Sequence, residues 1–288
     1  MRKRMVVCCS HSPLMSSADG GEPGQRIFAA LDVAASRIRA FDPDLVVFFG
    51  ADHVRAFVDL IPAVAIVGSA TGHGDWGTAD TAYDVDPFAD QLAIDLLAGG
   101  FDVATAKNVR LDHGFGQTFA QLFGELDAAP IVPVFMNCAR PPLAPLGRAV
   151  ALGKAIGDAL DSIDRRVLLV GSGGLSHSPP VLDIDPGGMT EDERRRYNMD
   201  RLEEAGKKIR EPWDRDVLAA FERHDLEYFE HITEADLLTV GPGASEIRTW
   251  VAAAAAGGQP LETLAYEPVP AWITGMGIAT STDEALDR

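Results

Sequence analysis

The stretch that most constrains the fold of this 288-residue chain is Leu45-Val46-Val47-Phe48-Phe49-Gly50-Ala51-Asp52-His53. Its apolar part is β-branched and aromatic, short, and without polar alternation, which is typical of a strand buried on both faces. Four other runs have the same character, at residues 5–9, 64–67, 131–136 and 167–170. These five segments are predicted to be buried strands of one sheet.

Between these runs, apolar residues recur at helical spacing. Ile27, Leu31, Ala34 and Ile38 form one such series. A second series runs through Phe115, Phe119, Leu122 and Leu126, and residues 146–160 form an alanine-rich third. Strands that alternate with helices predict an α/β fold, with a central sheet flanked by helices and ligands bound at the carboxyl ends of the strands.

The predicted elements fit one catalytic domain over residues 1–288. A charged segment at about residues 179–212 interrupts it, and this segment is predicted to be an exposed excursion. Helical sequence follows from residue 214 to residue 256, with a break at 241–243. Residues 262–279 are expected to supply one or two closing strands.

The formal net charge is −18, from 43 acidic and 25 basic residues. This excess repels phosphate backbones and anionic lipid surfaces, which argues against nucleic acid or membrane as a partner. Three cysteines, Cys8, Cys9 and Cys138, cannot form a disulfide framework, and no run is long enough for a signal peptide or a transmembrane helix. The expected location is the cytoplasm.

Three of the seven histidines follow predicted strands. His11, His53 and His177 lie just beyond the runs that end at residues 9, 49 and 170, and His113 opens the helical series that begins near Phe115. A single histidine in a loop is usually a surface or hydrogen-bonding residue. Several in equivalent loops at the ligand-binding edge of a sheet, with glycine or serine neighbours, instead indicate a site.

A group of imidazoles without a thiolate suits a divalent metal. Two histidines and one carboxylate form the facial triad of non-haem Fe(II), whereas three protein ligands and a water are typical of zinc. Spacing alone does not separate these two metals, and it does not select the carboxylate among 43 acidic residues. His73 stays undecided, and His224 and His231, in polar helical sequence, are interpreted as surface residues.

The chain also resembles a known family. The resemblance lies in seven blocks that keep their order along nearly the whole sequence: 9–14 (CSHSPL), 52–53 (DH), 111–115 (LDHGF), 133–137 (PVFMN), 171–177 (GSGGLSH), 246–253 (EIRTWVAA) and 270–273 (PAWI). With these blocks the chain is similar to the class III extradiol dioxygenases of the protocatechuate 4,5-dioxygenase β-subunit type. Its likeness is greatest to the branch that acts on 2,3-dihydroxyphenylpropionate and 2,3-dihydroxycinnamate.

The resemblance implies a mixed α/β core, a homo-oligomer and an Fe(II) cofactor. It implies that His11, His53 and Glu246 bind the iron and that His113 and His177 are catalytic. The expected reaction opens a catechol ring beside its diol with O2 and yields a 2-hydroxymuconate-type acid. We assign His177 as the base that deprotonates the catechol and His113, as an imidazolium, as the acid that assists O–O cleavage.

Other interpretations remain open for these residues. By position alone, Glu246 is a first-turn glutamate favoured by the helix dipole, and residues 171–174 could cradle a phosphate. Asp52 and Asp112 could each orient a histidine or form a turn. The residue that binds the substrate side chain is unknown, although Arg248 and Arg140 are conceivable.

Alternatives to the whole assignment also stay open. They are the same reaction on another catechol, a gallate or a 2-aminophenol, a zinc hydrolase or deaminase, and a non-catalytic binding protein of the Memo type. The chain has no H-E-x-x-H helix and no cysteine-rich set that would favour the zinc enzyme.

Overall fold

A computed structural model describes residues 4–75, 78–183 and 189–282 of the chain. The strands are β1 (Arg4–Cys9), β2 (Leu45–Gly50), β3 (Val64–Val67), β4 (Ala70–Gly72), β5 (Ala104–Ala106), β6 (Val109–Leu111), β7 (Ile131–Met136), β8 (Val167–Ser172), β9 (Leu261–Val269) and β10 (Thr274–Ser281). The helices are α1 (Gly21–Phe41), α2 (Phe88–Ala98), α3 (His113–Phe123), α4 (Leu146–Leu160), α5 (Glu191–Met199), α6 (Leu202–Gly206), α7 (Glu211–Glu222), α8 (Leu226–Glu230), α9 (Glu234–Thr239) and α10 (Ile247–Gly257).

Eight strands form one mixed sheet in the order β5-β3-β7-β2-β8-β1-β10-β9, and β4 pairs with β6 in a separate two-stranded sheet. The central strands β7, β2, β8 and β1 are parallel to one another. Strand β3 is antiparallel to β7, and β10 is antiparallel to both β1 and β9. The predicted mixed α/β fold is therefore confirmed.

Helices cover both faces of the sheet because successive side chains of its strands alternate between two apolar layers. Val47 and Phe49 of β2 pack with α2, α4 and α10 on one face. Val46 and Phe48 pack with α1 and α3 on the other. Cys8 and Cys9 divide in the same way, and all three cysteines are free and buried.

The strand predictions agree closely with the structure. The five apolar runs are β1, β2, β3, β7 and β8, and the closing strands are β9 and β10. The three-residue strands β4, β5 and β6 were not predicted, since three residues are too few to show a period.

The charged segment at about residues 179–212 is partly helical. The segment contains α5 and α6, and its residues 184–188 lie outside the described part of the chain. Among the described helices, none combines the length and apolar character needed to cross a bilayer. The single-domain organisation over residues 1–288 stays a prediction.

Helices α4 and α10 approach closely at Gly153. A Cβ atom there would lie 2.7 Å from the Cβ of Ala255 and closer still to the carbonyl oxygen of Ala252. The backbone of α10, which follows directly after Glu246, is thus positioned by a residue without a side chain on α4.

We expect Gly153→Ala to lower the free energy of unfolding by about 1–3 kcal/mol, because the added methyl group overpacks this contact. Gly147→Ala on the same helix is the matched control. Its Cβ would lie 3.7 Å from Glu230 Cγ, an ordinary contact, so no loss is expected. Denaturant unfolding of both variants measures the difference, and equal stability of the two would contradict the interpretation.

Candidate metal centre and active site

The sheet order brings three histidines together. Strands β2, β8 and β1 are consecutive neighbours and all parallel, so their carboxyl ends lie at the same edge. His53, His177 and His11 follow these three strands. Strand β8 lies between β1 and β2, and the loops after these two strands bring the rings of His11 and His53 to a centroid distance of 5.5 Å.

His113 joins this group from α3, of which it is the first residue. Its ring stacks on that of His53, with centroids 4.1 Å apart and planes 19° apart. It meets His11 edge-on at 5.4 Å. The structure therefore gathers four of the seven histidines.

Glu246 lies among these imidazoles and is only 3% exposed. It ends a 3-10 turn, Pro242–Glu246, that leads into α10. Its Oε1 lies 3.0 Å from His53 Nε2 and 3.7 Å from His177 Nε2. Its Oε2 lies 3.7 Å from His11 Nε2 and accepts a hydrogen bond of 2.8 Å from the Gly174 N–H.

The other nitrogen of each ring, Nδ1, has its own partner. These contacts are His11 with Ser172 Oγ at 3.0 Å, His53 with Asp112 Oδ2 at 2.9 Å, His113 with Asp75 Oδ2 at 2.7 Å and His177 with Leu175 O at 3.0 Å. A carboxylate or carbonyl oxygen only accepts, so in three of the four rings Nδ1 carries the hydrogen. In a neutral ring Nε2 then offers its lone pair to a metal or a proton.

Burial and close contacts set the charges of His11, His53 and Glu246. Burial lowers the pKa of His11 to about 3, so this ring is neutral near pH 7. Burial works against a charge on His53, but the charges and hydrogen bonds of Asp112 and Glu246 raise its pKa well above the usual value. Burial also opposes ionisation of Glu246, yet its contacts with His177 and His53 lower its pKa well below the usual range. The site therefore holds an ionised carboxylate that attracts a proton or a metal cation.

The donor atoms fit a divalent metal. One ring nitrogen from each of His11, His53 and His113 lies within 4.8 Å of the other two. Two ligands bound at about 2.1 Å and at a right angle are about 3.0 Å apart, which matches His53 Nε2 and Glu246 Oε1 at 3.0 Å. Because ligands must be deprotonated, the metal would replace the proton that these two atoms share.

Two sets of three ligands are geometrically conceivable. Both contain His11 and His53, and the third ligand is either Glu246 or His113. The lone pairs of an imidazole lie in the ring plane, so the nearly parallel rings of His53 and His113 direct theirs side by side rather than toward one point. His11 is edge-on to His53, with planes 85° apart, which allows convergence. The ring planes therefore argue against a set in which His53 and His113 bind the same ion.

The two aspartates that precede histidines have different roles. Asp112 accepts from both the backbone N–H and Nδ1 of His53, and its other oxygen caps α3 at the Gly114 N–H. Asp52 accepts from the backbone N–H groups of the next turn, residues 55–57. Asp112 therefore orients an imidazole, and Asp52 forms a turn. In the turn formed by Asp52, Val54 directly follows His53 and has a φ of 61°, a left-handed conformation that is strained for a β-branched residue.

The loop that carries His177 is held from behind by Asp214. This buried carboxylate accepts from the backbone N–H and hydroxyl of Ser176 and from the Tyr266 hydroxyl, each at 2.7 Å. In front, Gly174 and Gly243 lie so close to the His177 ring that a side chain at either position would overlap it. The ring is thus fixed on both sides.

The contacts of Gly174 and Arg248 argue against a phosphate cradle at residues 171–174 and against Arg248 as a substrate-binding residue. The Gly174 N–H already donates to Glu246, which removes an amide that a phosphate cradle would need. Arg248 donates to Ala144 O, Ser245 O and Glu234 Oε2, so its buried guanidinium supports the turn before α10 rather than a substrate carboxylate.

The remaining histidines lie outside this group. His231 is exposed and faces Glu227 at 3.6 Å. His224, with a φ of 51°, directly follows Arg223, the C-cap residue of α7. Sequence reasoning missed Asp75, which lies two residues beyond His73 and contacts His113 from 38 positions away, a distance that no local motif reveals.

Comparison with known proteins identifies the family of the chain. Residues 5–277 match the family model "Catalytic LigB subunit of aromatic ring-opening dioxygenase". Curated 2,3-dihydroxyphenylpropionate/2,3-dihydroxicinnamic acid 1,2-dioxygenases are similar throughout. The protein of Rhodococcus jostii (strain RHA1) is 36% identical over 311 residues, and that of Mycobacterium sp. (strain MCS) is 38% identical over 308 residues. Each alignment covers 96% of this chain and 98% of the relative.

A solved structure supports the fold. An uncharacterized protein from Escherichia coli K12 has a TM-score of 0.54 and 17% identity, over 96% of this chain and 99% of that one. At this identity the likeness concerns the fold alone. The family match and the curated relatives go further: the chain belongs to the family of catalytic LigB subunits of aromatic ring-opening dioxygenases.

Proposed function

We propose that this chain is an Fe(II)-dependent extradiol dioxygenase that opens the ring of 3-(2,3-dihydroxyphenyl)propionate or 2,3-dihydroxycinnamate with O2. The product would be a ring-opened 2-hydroxymuconate-type acid. The observation that carries the proposal is the convergence of three imidazole Nε2 atoms on the buried carboxylate of Glu246. The names of the curated relatives supply the substrate.

Iron would be held by His11, His53 and Glu246. Two neutral nitrogens and one carboxylate suit Fe(II) and leave coordination positions open, and the three ligands leave a formal charge of about +1 on the site. Bound there, Fe(II) would supply a centre that chelates both catechol oxygens and takes up O2. The same charge would give an anionic substrate a local cation in a protein with a net charge of −18.

His177 would accept the proton of a catechol hydroxyl. Its Nδ1–H is held by the Leu175 carbonyl, so the lone pair of Nε2 is directed toward the cluster, 3.7 Å from Glu246 Oε1. The glycines beside the ring and the Asp214 contact behind its loop keep that nitrogen in place. A base held within reach of a hydroxyl contributes about 10²–10⁴-fold to a rate.

His113 would act as the acid that protonates oxygen as the O–O bond breaks. Its ring stacks on that of His53, with centroids 4.1 Å apart, and it is not one of the three proposed ligands. With a base and a separate acid in the site, one proton can be removed and another delivered at different steps. We further propose a cytoplasmic homo-oligomer, as the family resemblance implies.

Single alanine substitutions should distinguish the iron ligands from the catalytic residues. We expect His11→Ala, His53→Ala and Glu246→Ala to lose bound iron, because each removes one donor of three. We expect His113→Ala and His177→Ala to keep iron and to lose about 10²–10⁴-fold in turnover. Iron content by elemental analysis, with turnover expressed per iron, tests both. A His177→Ala protein without iron would contradict the assignment.

The substrate is tested by anaerobic reconstitution with Fe(II) followed by air and 3-(2,3-dihydroxyphenyl)propionate. We expect a yellow ring-opened product and one O2 consumed per product, because both oxygen atoms enter it. Zn(II) reconstitution is the control and should give neither. Colour only with another catechol or with a 2-aminophenol would keep the reaction class and reject this substrate. Oxygen-independent activity with Zn(II) would favour a hydrolase.

A further inference from the structure

Asp75 contacts His113 through two hydrogen bonds. Its Oδ2 accepts from Nδ1 of the ring at 2.7 Å and from the backbone N–H of the same residue at 3.1 Å. The carboxylate comes from the loop after β4, and its side chain is only 11% exposed. Both bonds end on one oxygen, so they fix the ring relative to its own backbone.

These two bonds determine which nitrogen of His113 is available. A carboxylate oxygen cannot donate, so Nδ1 carries the hydrogen in the bond to Asp75. The stack on His53 fixes the ring plane, and Asp112 holds His53 in turn. With its plane and Nδ1 both fixed, the ring has Nε2 left for exchange of a proton with a substrate.

Arg55 lies between the two aspartates that hold these rings. Its Nε is 3.6 Å from Asp75 Oδ2, and its Nη1 is 3.9 Å from Asp112 Oδ2. Two buried carboxylates in one small region repel each other, and a guanidinium beside both offsets that cost. One cluster of charged side chains, formed by Asp75, Arg55 and Asp112, thus contacts the stacked rings of His53 and His113.

The same atoms could be considered a second metal site, since ligand atoms of Asp75, Asp112 and His113 lie within 4.8 Å of one another. Arg55 already brings a positive charge to both carboxylates, and the Nδ1 of His113 carries a hydrogen toward Asp75. A cation there would meet the guanidinium and would need that hydrogen to leave. Orientation of His113 is the better explanation of the contacts.

We propose that Asp75 is a positioning residue that holds His113 with Nε2 directed at the substrate. The inference rests on the catalytic role proposed for His113. It predicts that Asp75 affects the chemical step through His113 and does not affect capture of iron or of the catechol.

We expect Asp75→Ala to lower kcat per bound iron about 10–100-fold, the usual cost of losing a residue that orients a working histidine. KM for the catechol and iron content should not change. Asp75→Asn should retain more turnover than Asp75→Ala, because one amide oxygen can accept both hydrogen bonds. Steady-state O2 uptake and product absorbance give kcat and KM.

Asp86→Asn is the matched control. Asp86 is a similarly buried carboxylate, 13% exposed, that accepts from the Phe88 N–H and from Arg165, outside the histidine group. We expect it to keep wild-type kcat per iron. If Asp75→Ala and Asp86→Asn behave alike in kcat, KM and iron content, the proposal is overturned.

The double variant Asp75→Ala/His113→Ala decides whether Asp75 acts through His113. We expect it to have the turnover of His113→Ala alone, since a positioning residue has no effect once its histidine is gone. An added loss of similar size on both backgrounds would indicate a purely structural role and overturn the proposal. If His113→Ala itself keeps wild-type turnover, the acid assignment fails. If His113→Ala is impaired and Asp75→Ala is not, only the inference about Asp75 fails.

Discussion

The buried carboxylate of Glu246 is the constraint on which the rest of the site depends. An ionised carboxylate away from water costs several kcal/mol unless other groups compensate it. Here compensation comes from the Gly174 N–H and from imidazoles in the loops that follow three strands. Arg248 and the tight contact between α4 and α10 keep the segment around Glu246 in register with those rings.

The strand order of the sheet brings these side chains together. His11, His53 and His177 are far apart in sequence, and parallel neighbours β1, β8 and β2 bring them to one edge. Glu246 and His113 reach the same edge from the starts of helices on opposite faces of the sheet. The group can therefore assemble only after the central strands and both helical layers are in place.

Most strands and most of the site histidines could be predicted from the sequence, and the remaining site residues could not, for physical reasons. Strands buried on both faces leave uninterrupted apolar runs, so β1, β2, β3, β7 and β8 could be predicted, as could histidines at strand ends. Glu246 has no such signal, because one glutamate at a helix start resembles any other. Only the likeness of its neighbours to a known family pointed to it.

Contacts that depend on loop geometry could not be predicted from the spacing of residues in the sequence. Asp75 was missed because its partner is brought to it by the small β4–β6 sheet, whose strands are too short to predict. The roles of Asp52 and Asp112 could not be separated either, since both precede a histidine by one position. Their difference lies in which backbone groups the folded loops present to each carboxylate.

The burial of the three cysteines bears on how such a protein tolerates the oxidant that it consumes. A thiolate, rather than a thiol, is the form that oxidises readily. Burial raises the pKa of Cys9 and raises that of Cys138 to about 12, so both stay protonated and away from solvent. Cys9 is only two residues from His11, yet it faces the apolar layer under α1. Oxidative inactivation is therefore not expected to begin at these buried thiols.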